Sequence, residues 1–464
     1  MANTYLTRTQ TTGDRQKMTW SFWIKISGSG NRIFNAINAS FNSSYVSSIH
    51  FNNTGYLTFY NVDGSADIDV RPTRLYRDKN AWYHIVIAMD TTQSTASDRI
   101  KIYTNGVQET SFIHTTYPSQ NADNTQWNYN GNNLTIGKRV YDTAQYTDAI
   151  LSHFHFIDGT IYDPSAFGET DATTGEWKIK VDPSVTYGNN GFFIFKDGTN
   201  LSGSTVQDQS GQSNNFTAHG SLTKTEDSPS NVFATLNPLA TASYATLTNG
   251  NLTVTGNTGA NEGATFSSLV MPNATSKMYW EIKCVATTAG SDGASNPKYG
   301  FIQAVRGFTL ANGNAGNGGR TNPSYDVMIR PNGNVDDDDG TSSISVSTWS
   351  AGDILSFALD NVNGAFYVGK NGTWQNSGNP ASGSSRTGAI KTWSPTQGGN
   401  TGVLDGQAVC ISSYNGSISN INFGNGFFGT TAVSSAGTNA SGIGIFEYDV
   451  PNGFTALSTK GLNL

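Results

Sequence analysis

The chain has 464 residues, of which 13% are charged, about half the usual share of roughly 25%. The net charge of −7, with no basic patch that carries interleaved aromatic residues, argues against a nucleic-acid partner, and no apolar run is long enough for a membrane helix. The length predicts two or three domains, and the wealth of Gly, Asn, Ser and Thr is typical of β proteins on extracellular or virion surfaces.

The first predicted strands begin close to the N-terminus, at residues 4–10 and again around Trp20. Trp20, Phe22 and Ile24 recur with a period of two, which places one side of this second strand in a core. The N-terminus has no apolar stretch of the kind found in signal peptides, so we expect synthesis in a cytoplasm without Sec-dependent export.

A hairpin is predicted between Trp82 and Gly106, where two apolar strands flank a turn that begins at Asp90. Strand-like runs separated by Gly, Asn and Ser clusters continue to about residue 157, and no useful window has helical periodicity. This pattern predicts an antiparallel β-sandwich or jelly roll.

Five segments of this half carry a resemblance to a known fold: MTWSFWIKI, AWYHIVIAMD, RIKIYTNGV, LTIGKR and LSHFHFIDGT. Together they resemble the laminin-G/concanavalin-A-like lectin family over about residues 1–165. The resemblance implies a lectin-like sandwich, and it says little about the ligand.

The segment after this half is predicted to complete the same sandwich. Residues 190–218 contain further strand-like runs, which we expect to return to the first domain; a small separate linker domain is the alternative. Residues 228–243 are low in charge and contain two prolines, which predicts a linker. We therefore expect domains at residues 1–235 and 236–464.

The second domain contains the clearest hairpin of the chain, between Trp349 and Trp374. Phe357 and Leu359 lie on one face of its first strand, and residues 361–364 have the Asn and Gly content of a tight turn. The predicted fold class is all-β, with two antiparallel β-sandwich domains of jelly-roll, concanavalin-A-like type in tandem.

Motifs of the second domain resemble the SPRY (B30.2) family: YWEIKC, KYGFIQA, the long hairpin, and the terminal run VPNGFTALSTKGLN. The order of a laminin-G-like half, a middle segment with FIDG, FGETD and TGEW, and a SPRY-like end resembles virion proteins of tailed bacteriophages, marine and cyanophage-like ones in particular. The resemblance implies a phage structural protein and leaves its position in the virion open.

Catalysis has little support in the sequence. Glycosidases of concanavalin-like fold place two carboxylates across the sugar bond. Glu169, Asp171 and Glu176 come closest to such a set, but their spacing is wrong and Gly175 predicts a turn between them. We therefore expect a protein that is not an enzyme.

Histidine and cysteine residues offer weak candidates for a metal site. His153 and His155 share one face of a predicted strand, but zinc needs a third ligand, so a packed or hydrogen-bonded pair is the preferred interpretation. Cys284 and Cys410 lie in apolar strand-like runs, which predicts buried free thiols.

No cofactor is required, although calcium is a candidate. Residues 336–339 are four consecutive aspartates, and clustered carboxylates suit Ca²⁺. A solvated hairpin turn is the alternative interpretation of this run. The lectin resemblance also implies a calcium ion at the rim of the first sandwich. The candidate calcium ligands are Asp336, Asp337, Asp338, Asp339, Asp142 and Asp158.

Four aromatic residues in polar surroundings are the candidate ligand-binding residues: Trp127, Tyr129, Trp374 and Trp393. Exposed rings flanked by Asn and Gly suit stacking on a sugar, and they equally suit a protein–protein contact. A loop folded over its own aromatic ring is the third alternative.

The sequence as a whole favours a virion surface protein of tail-fibre or adhesin type that binds a host cell-surface glycan or receptor. The alternative is a capsid or tail decoration protein with a purely structural role. Other virion proteins and further copies of the chain, in a homo-oligomer, are the expected partners; nucleic acid and membrane insertion are not expected.

Overall fold

The computed structural model shows a chain of short β-strands that divides into two units, Met1–Lys224 and Thr225–Leu464. Its helical segments, within the described residues, are short 3₁₀ turns, and none is long and apolar enough to cross a membrane. The structure describes residues 4–463 except 28–31, 38–43, 80, 124, 140–144, 174, 181, 197–200, 221, 259–261, 288–296, 304–326, 338–339 and 395–405.

The strands of the first unit lie in two large sheets and one small hairpin. In chain order they are β1 (Tyr5–Thr9), β2 (Lys17–Ile26), β3 (Arg32–Ile37), β4 (Tyr45–Phe51), β5 (Leu57–Asp63), β6 (Ser65–Pro72), β7 (Trp82–Asp90), β8 (Ile100–Thr104), β9 (Val107–Gln108), β10 (Phe112–Thr116), β11 (Asn133–Ile136), β12 (Ala149–Asp158), β13 (Gly168–Thr170), β14 (Trp177–Ile179), β15 (Phe192–Ile194), β16 (Leu201–Ser202), β17 (Thr205–Val206) and β18 (Phe216–His219). Single 3₁₀ turns occur at Ala96–Asp98 and Pro164–Ala166.

The ten-stranded sheet has the order β10-β6-β5-β4-β3-β11-β1-β18-β17-β16, and the six-stranded sheet has the order β15-β12-β2-β7-β8-β9. All pairings in both sheets are antiparallel. The predicted hairpin is present, because β7 pairs with β8.

The core of this unit lies between the two sheets. Trp20, Phe22 and Ile24 on β2 face Phe34 and Phe59 from the other sheet, and all five are fully buried. The period of two in β2 is therefore explained by one face that fills the core. The concanavalin-A-like sandwich predicted for the first unit is confirmed.

Strands from residues after 190 return to the first unit, in both of its large sheets. β15 pairs with β12, and β18 pairs with β1 next to the N-terminus. Phe192 and Phe216 from these strands belong to the same core, with their rings 4.8 Å apart. The apolar content of 190–218 is thus accounted for by closure of the first sandwich.

The second unit also consists of two large sheets with a small hairpin. Its strands are β19 (Leu236–Thr241), β20 (Ala245–Thr248), β21 (Thr253–Gly256), β22 (Glu262–Ser267), β23 (Lys277–Ala286), β24 (Lys298–Gln303), β25 (Val327–Ile329), β26 (Asn334–Asp337), β27 (Gly340–Ser345), β28 (Ile354–Asp360), β29 (Ala365–Lys370), β30 (Thr373–Trp374), β31 (Lys391–Thr392), β32 (Gln407–Tyr414), β33 (Ile418–Asn422), β34 (Phe427–Phe428), β35 (Thr431–Ala432) and β36 (Thr455–Ala456). Short 3₁₀ segments lie at Gln375–Ser377, Pro380–Ser385 and Gly461–Asn463.

The seven-stranded sheet has the order β19-β22-β32-β24-β25-β26-β27. The nine-stranded sheet follows the path β20-β21-β33-β23-β28-β29-β30, with β31 beside β29 and β36 beside β23. The β36 pairing is parallel and brings the C-terminal segment alongside β23.

The predicted second-domain hairpin is confirmed: β28 pairs with β29 from Leu355↔Lys370 to Asp360↔Ala365. Phe357 lies on the core face, and its ring stacks 5.4 Å from that of Trp280. The other face of β28 is also buried, because Ala358 packs in a second cluster with Phe446 and other residues of the C-terminal segment. A period of two shows that a strand has two faces, but it does not show that a distant segment covers the outer one.

The expectation of a linker at residues 228–243 is wrong. Phe233, Ala234 and Leu236 are buried in the second unit, and β19 pairs with β22. The division at Lys224 therefore lies before residue 235, since these residues supply part of the second core. Low charge and proline, which suggested a linker, are here properties of an edge strand.

The two cysteines are free and buried, as predicted. Cys284 packs in the core of the second unit and Cys410 on the outer side of its seven-stranded sheet. Burial raises the pKa of the Cys284 thiol to about 11, so it stays protonated and unreactive near neutral pH.

Candidate functional site

Trp127 was a candidate for sugar stacking, and the structure contradicts this. Its side chain is fully buried in the first core, with ring centroids 4.8 Å from Trp20 and 5.2 Å from Phe59. The polar segment around it folds over the ring, because the indole contributes a large apolar area to the core.

Tyr129, two residues later, is exposed, with 48% of its surface accessible. The guanidinium carbon of Arg15 lies 4.8 Å from the centre of its ring, and Arg15 is held there by hydrogen bonds of 2.8 and 3.1 Å to the carbonyl of Thr125. One face of the ring is thus already covered by a cation–π contact.

The two candidate tryptophans of the second unit, Trp374 and Trp393, were expected to expose their rings for stacking on a sugar, and neither ring is fully exposed. Trp393 is 6% exposed and packs in the core beside Phe301, so the expectation is wrong for its ring. Trp374 is partly buried and packs edge-on against Tyr279, with ring centroids 6.5 Å apart. Neither ring is free to act as an open stacking surface.

The candidate calcium ligands of the second unit that the structure describes are paired with cations. Asp336 accepts from Arg330 Nε at 2.7 Å and lies 3.9 Å from Lys298 Nζ, and Asp337 lies 3.2 Å from Lys391 Nζ. These cations would repel a calcium ion at the same carboxylates, while Oδ1 of Asp336 has no hydrogen-bond partner among the described residues. Asp338 and Asp339 lie outside the described residues.

In the first unit, Asp158 serves as an internal acceptor. Its carboxylate accepts from the backbone N–H groups of Asp14 at 2.8 Å and Asn190 at 2.9 Å, and from Asn128 Nδ2 at 2.9 Å. Burial raises the pKa of the Asp158 carboxyl. Asp142 lies outside the described residues, and no group of three or more His, Cys, Asp or Glu among the described residues is placed to hold a metal.

The histidine pair is packed, as preferred from the sequence. His155 stacks on Phe193 with centroids 3.9 Å apart, and its Nδ1 lies 2.9 Å from the hydroxyl of Tyr187. His153 has a φ of 45° at a bulge between β12 and β2. Burial lowers the pKa of His155 well below its usual range, so it is neutral at physiological pH.

The three acids considered for catalysis lie in or beside the small β13–β14 hairpin. Lys178 forms ion pairs with Glu169 at 3.4 Å and with Asp171 at 3.2 Å. Asp171 and Glu176 face each other through a backbone hydrogen bond across the turn. The carboxylates of Glu169 and Asp171 therefore pair with a lysine of their own hairpin.

A surface cleft of about 290 Å³ lies in the second unit, where the turn of the β28–β29 hairpin meets the loop before β31. It combines an apolar side chain, an amide, a guanidinium and two hydroxyls. The lining residues are Val362, Asn363, Ser384, Arg386 and Ser394. Its volume lies just below the usual range for small-ligand sites, about 300–1,000 Å³.

The hairpin turn fixes one side of this cleft. Buried Asp360 is paired with Lys277 at 2.9 Å and accepts from the N–H and Nδ2 of Asn363 at 2.9 and 2.7 Å. One N–H of the Asn363 amide is thereby used, and its Oδ1 can accept from a ligand. Val362, between these residues, is 43% exposed and offers an apolar contact.

Arg386, which also lines the cleft, is held in place by hydrogen bonds of its own. Its φ of 47° is left-handed, its N–H donates to the carbonyl of Gly383 at 3.0 Å, and its Nη1 donates to the carbonyl of Trp393 at 3.1 Å. Trp393, expected to bind ligand through its ring, therefore contributes through its backbone. A guanidinium has five N–H donors, so most remain available to a ligand.

Sequence reasoning missed this arginine. Arg386 stands in the run SGNPASGSSRTG and is the only arginine after Arg330, which is the signal that could have singled it out. Asn363 and Val362 were recognised only as turn residues. Nothing in their local pattern shows that a loop twenty residues later folds back beside them.

Comparisons with known proteins agree with the fold of the first unit. Residues 1–165 match the family model described as the Concanavalin A-like lectin/glucanases superfamily. No curated protein sequence matches the chain.

Three solved structures are among those that are similar to parts of this chain. The SPRY domain of human HERC1 has 14% identity and a TM-score of 0.27, over 40% of this chain and 96% of that chain. The native heptameric SAP-like pentraxin from Limulus polyphemus has 15% identity and a TM-score of 0.26, over 34% of this chain and 71% of that chain. Domains LG4-5 of the mouse laminin alpha1 chain have 10% identity and a TM-score of 0.28, over 90% of this chain and 85% of that chain.

Proposed function

We propose that this protein binds carbohydrate and serves as a host-attachment component on the surface of a bacteriophage virion. The concanavalin A-like lectin fold of residues 1–165 supports sugar binding in general terms. The observation that carries the proposal is the cleft of the second unit, which Asn363 and Arg386 both line and where internal hydrogen bonds hold both side chains in place. The motifs that resemble tailed-phage proteins support the placement on a virion.

The chemistry of the cleft suits a sugar. A pyranose ring offers an apolar patch for Val362 and hydroxyl groups for the amide oxygen of Asn363 and for the hydroxyls of Ser384 and Ser394. Because the internal bonds to Asp360 and Trp393 already order the amide and the guanidinium, binding costs little further side-chain entropy.

We also propose that the protein binds its glycan without hydrolysing it. Hydrolysis requires two carboxylates about 5–10 Å apart that face the same sugar bond. The lining of the cleft contains no carboxylate among the residues described, and Glu169 and Asp171 of the β13–β14 hairpin are paired with Lys178. Release of reducing ends from a bound polysaccharide would overturn this part.

A second candidate, a decoration protein that binds other virion proteins or further copies of itself, is favoured by one observation. Leu239 is 85% exposed at the edge of a sheet, and Val107 and Ile113 in the first unit are 64% and 48% exposed. Exposed apolar residues near sheet edges suit protein–protein contacts. Under this alternative the protein would form homo-oligomers but bind no glycan.

The test uses the full chain on a panel of bacterial envelope polysaccharides and oligosaccharides. We expect binding that Val362→Asp abolishes, because the change places a charge where the sugar ring packs. Leu239→Asp, the same change at another exposed apolar residue of this unit, should leave binding intact. Absence of binding across the panel, or equal binding by both variants, would overturn the proposal.

The virion placement is tested separately. Antibody against the full chain, detected by immunogold electron microscopy, should label the tail or the capsid surface of particles that carry this protein. Labelling of the tail tip would support attachment, and uniform labelling of the capsid would support decoration. No labelling of particles would contradict both.

A further inference from the structure

We infer that the cleft selects an acidic sugar, whose carboxylate binds Arg386. This inference rests on the proposed carbohydrate-binding function and names the class of ligand. A guanidinium and a carboxylate match in geometry as well as in charge, since two parallel N–H groups can donate to the two oxygens. The other lining residues that the structure describes are neutral: Val362, Asn363, Ser384 and Ser394.

Arg386 has no internal carboxylate partner in the part of the chain that the structure describes. Among the described residues its side chain makes one hydrogen bond, from Nη1 to the carbonyl of Trp393 at 3.1 Å, which is a neutral acceptor. The nearest acid of the hairpin, Asp360, is fully buried and already paired with Lys277. Within the described residues no carboxylate pairs with Arg386, and we assign its positive charge to the recognition of a ligand.

The backbone at Arg386 is a further reason to assign it to ligand binding. Its φ of 47° lies in the left-handed region, where Gly or Asn is the favoured residue and a long side chain adds strain. A residue needed only to close this turn would be better replaced by Gly. Strained positions of this kind are concentrated at binding sites, where the side chain has a use that offsets the strain.

The neutral residues that line the cleft can contact the rest of the sugar. Asn363 Oδ1 can accept from a hydroxyl or an acetamido N–H, and Ser384 and Ser394 can donate or accept. Val362 contacts the apolar side of the ring. The ligand class is thus a uronic acid or another carboxylate-bearing sugar, and not a neutral hexose.

The test compares one ligand in two chemical forms. A glucuronic-acid-containing oligosaccharide and its carboxyl-reduced counterpart differ only in the acidic group, and binding of each to the full chain is measured by isothermal titration calorimetry. We expect the acidic form to bind at least about tenfold more tightly, as a hydrogen-bonded charge pair would give.

The informative variant is Arg386→Gly, which removes the guanidinium and suits the left-handed backbone, so the unit should keep its melting temperature. We expect this variant to lose the preference for the acidic form. Arg386→Lys should keep part of it, since the charge remains without the planar fork. Lys460→Ala, which removes an exposed charge elsewhere in the unit, should change nothing.

The outcomes separate the two proposals. Equal binding of the acidic and reduced forms by the unchanged protein would overturn the inference about Arg386 while leaving carbohydrate binding in place. A preference that persists in Arg386→Gly would likewise overturn it. No binding of either form, or of any glycan of the wider panel, would overturn the proposed function itself.

Discussion

The carboxylate of Glu281, in the middle of β23, accepts a hydrogen bond of 2.9 Å from the backbone N–H of Tyr448, 167 residues later in the chain. It also accepts from the N–H of Glu447 at 2.9 Å and from the hydroxyl of Tyr279 at 2.9 Å. A single buried side chain thereby joins the nine-stranded sheet to the C-terminal segment that covers its outer face.

This junction predicts a pH dependence of stability. Burial raises the pKa of Glu281 from 4.5 to about 7, although its three donors lower it. The folded protein therefore holds a proton that the unfolded chain releases above its lower pKa. The stabilisation from this group is complete below about pH 4.5 and is lost as the pH rises through about 7. The total change in the free energy of unfolding is roughly 3 kcal/mol.

The measurement is the unfolding free energy of residues 225–464 in denaturant between pH 5 and pH 8, for the unchanged chain and for Glu281→Gln. The variant cannot titrate and should show a flatter profile over this range, although it is less stable throughout because its amide opposes the N–H donors. If the unfolding free energies of the unchanged chain and of Glu281→Gln changed with pH in parallel, Glu281 would not be the group that titrates.

The two units are predicted to fold separately. Each has its own core between its own sheets, and the division falls at Lys224. Chains of residues 1–224 and 225–464 should each unfold in one cooperative transition by calorimetry. A chain of residues 1–165 should be much less stable, because it lacks β15 and β18 and with them Phe192 and Phe216. Equal stability of the shorter chain would contradict the role of the returning strands.

Phe357 is predicted to be a stability determinant of the second unit alone. Its ring is fully buried and stacks on Trp280 at 5.4 Å. Truncation of a buried Phe to Ala typically costs about 3–5 kcal/mol, a large part of the roughly 5–15 kcal/mol of a whole domain. Phe357→Ala should lower the second melting transition by several degrees and leave the first unchanged.

The control for this substitution is Leu239→Ala, which removes an apolar side chain that is 85% exposed. It should change the unfolding free energy by less than about 0.5 kcal/mol. If both substitutions were equally mild, the β28–β29 hairpin would not be the centre of the core.

Calcium is predicted to have no effect on the stability of either unit. Asp158 accepts from N–H donors, while Asp336 and Asp337 each lie beside a cationic side chain that would repel a calcium ion. A ligand at a hundred times its Kd would add about 2.7 kcal/mol, which is easily detected. Melting curves with EDTA and with millimolar CaCl₂ should therefore coincide, and a clear upward shift with calcium would locate a site that these residues do not explain.

Much of the fold could be predicted because its signals are local. The β28–β29 hairpin combines alternating apolar residues with an Asn-rich and Gly-rich turn, and both features act over a few residues. The covered outer face could not be predicted, because Phe446 reaches Ala358 from far along the chain. The prediction of a linker at residues 228–243 was wrong for the same reason. Phe233 pairs with Ser458, near the C-terminus, and this partner is distant in the sequence.

The residues of the candidate site were harder to predict from the sequence than the fold. Trp127 and Trp393 stand in polar runs, but the flanking residues do not reveal on which side of the chain a ring packs, and both rings are buried. Arg386 was passed over because a single charge in a Gly- and Ser-rich loop has no local pattern. The proposed role of Arg386 in ligand binding depends on the cleft that it lines together with Asn363.

The most direct test of the account is the structure of the full chain crystallised with a carboxylate-bearing oligosaccharide. We predict sugar density in the cleft, with the carboxylate about 3 Å from the guanidinium of Arg386 and a ring face against Val362. Sugar bound elsewhere on the protein, with this cleft occupied only by solvent, would contradict the assignment of the site.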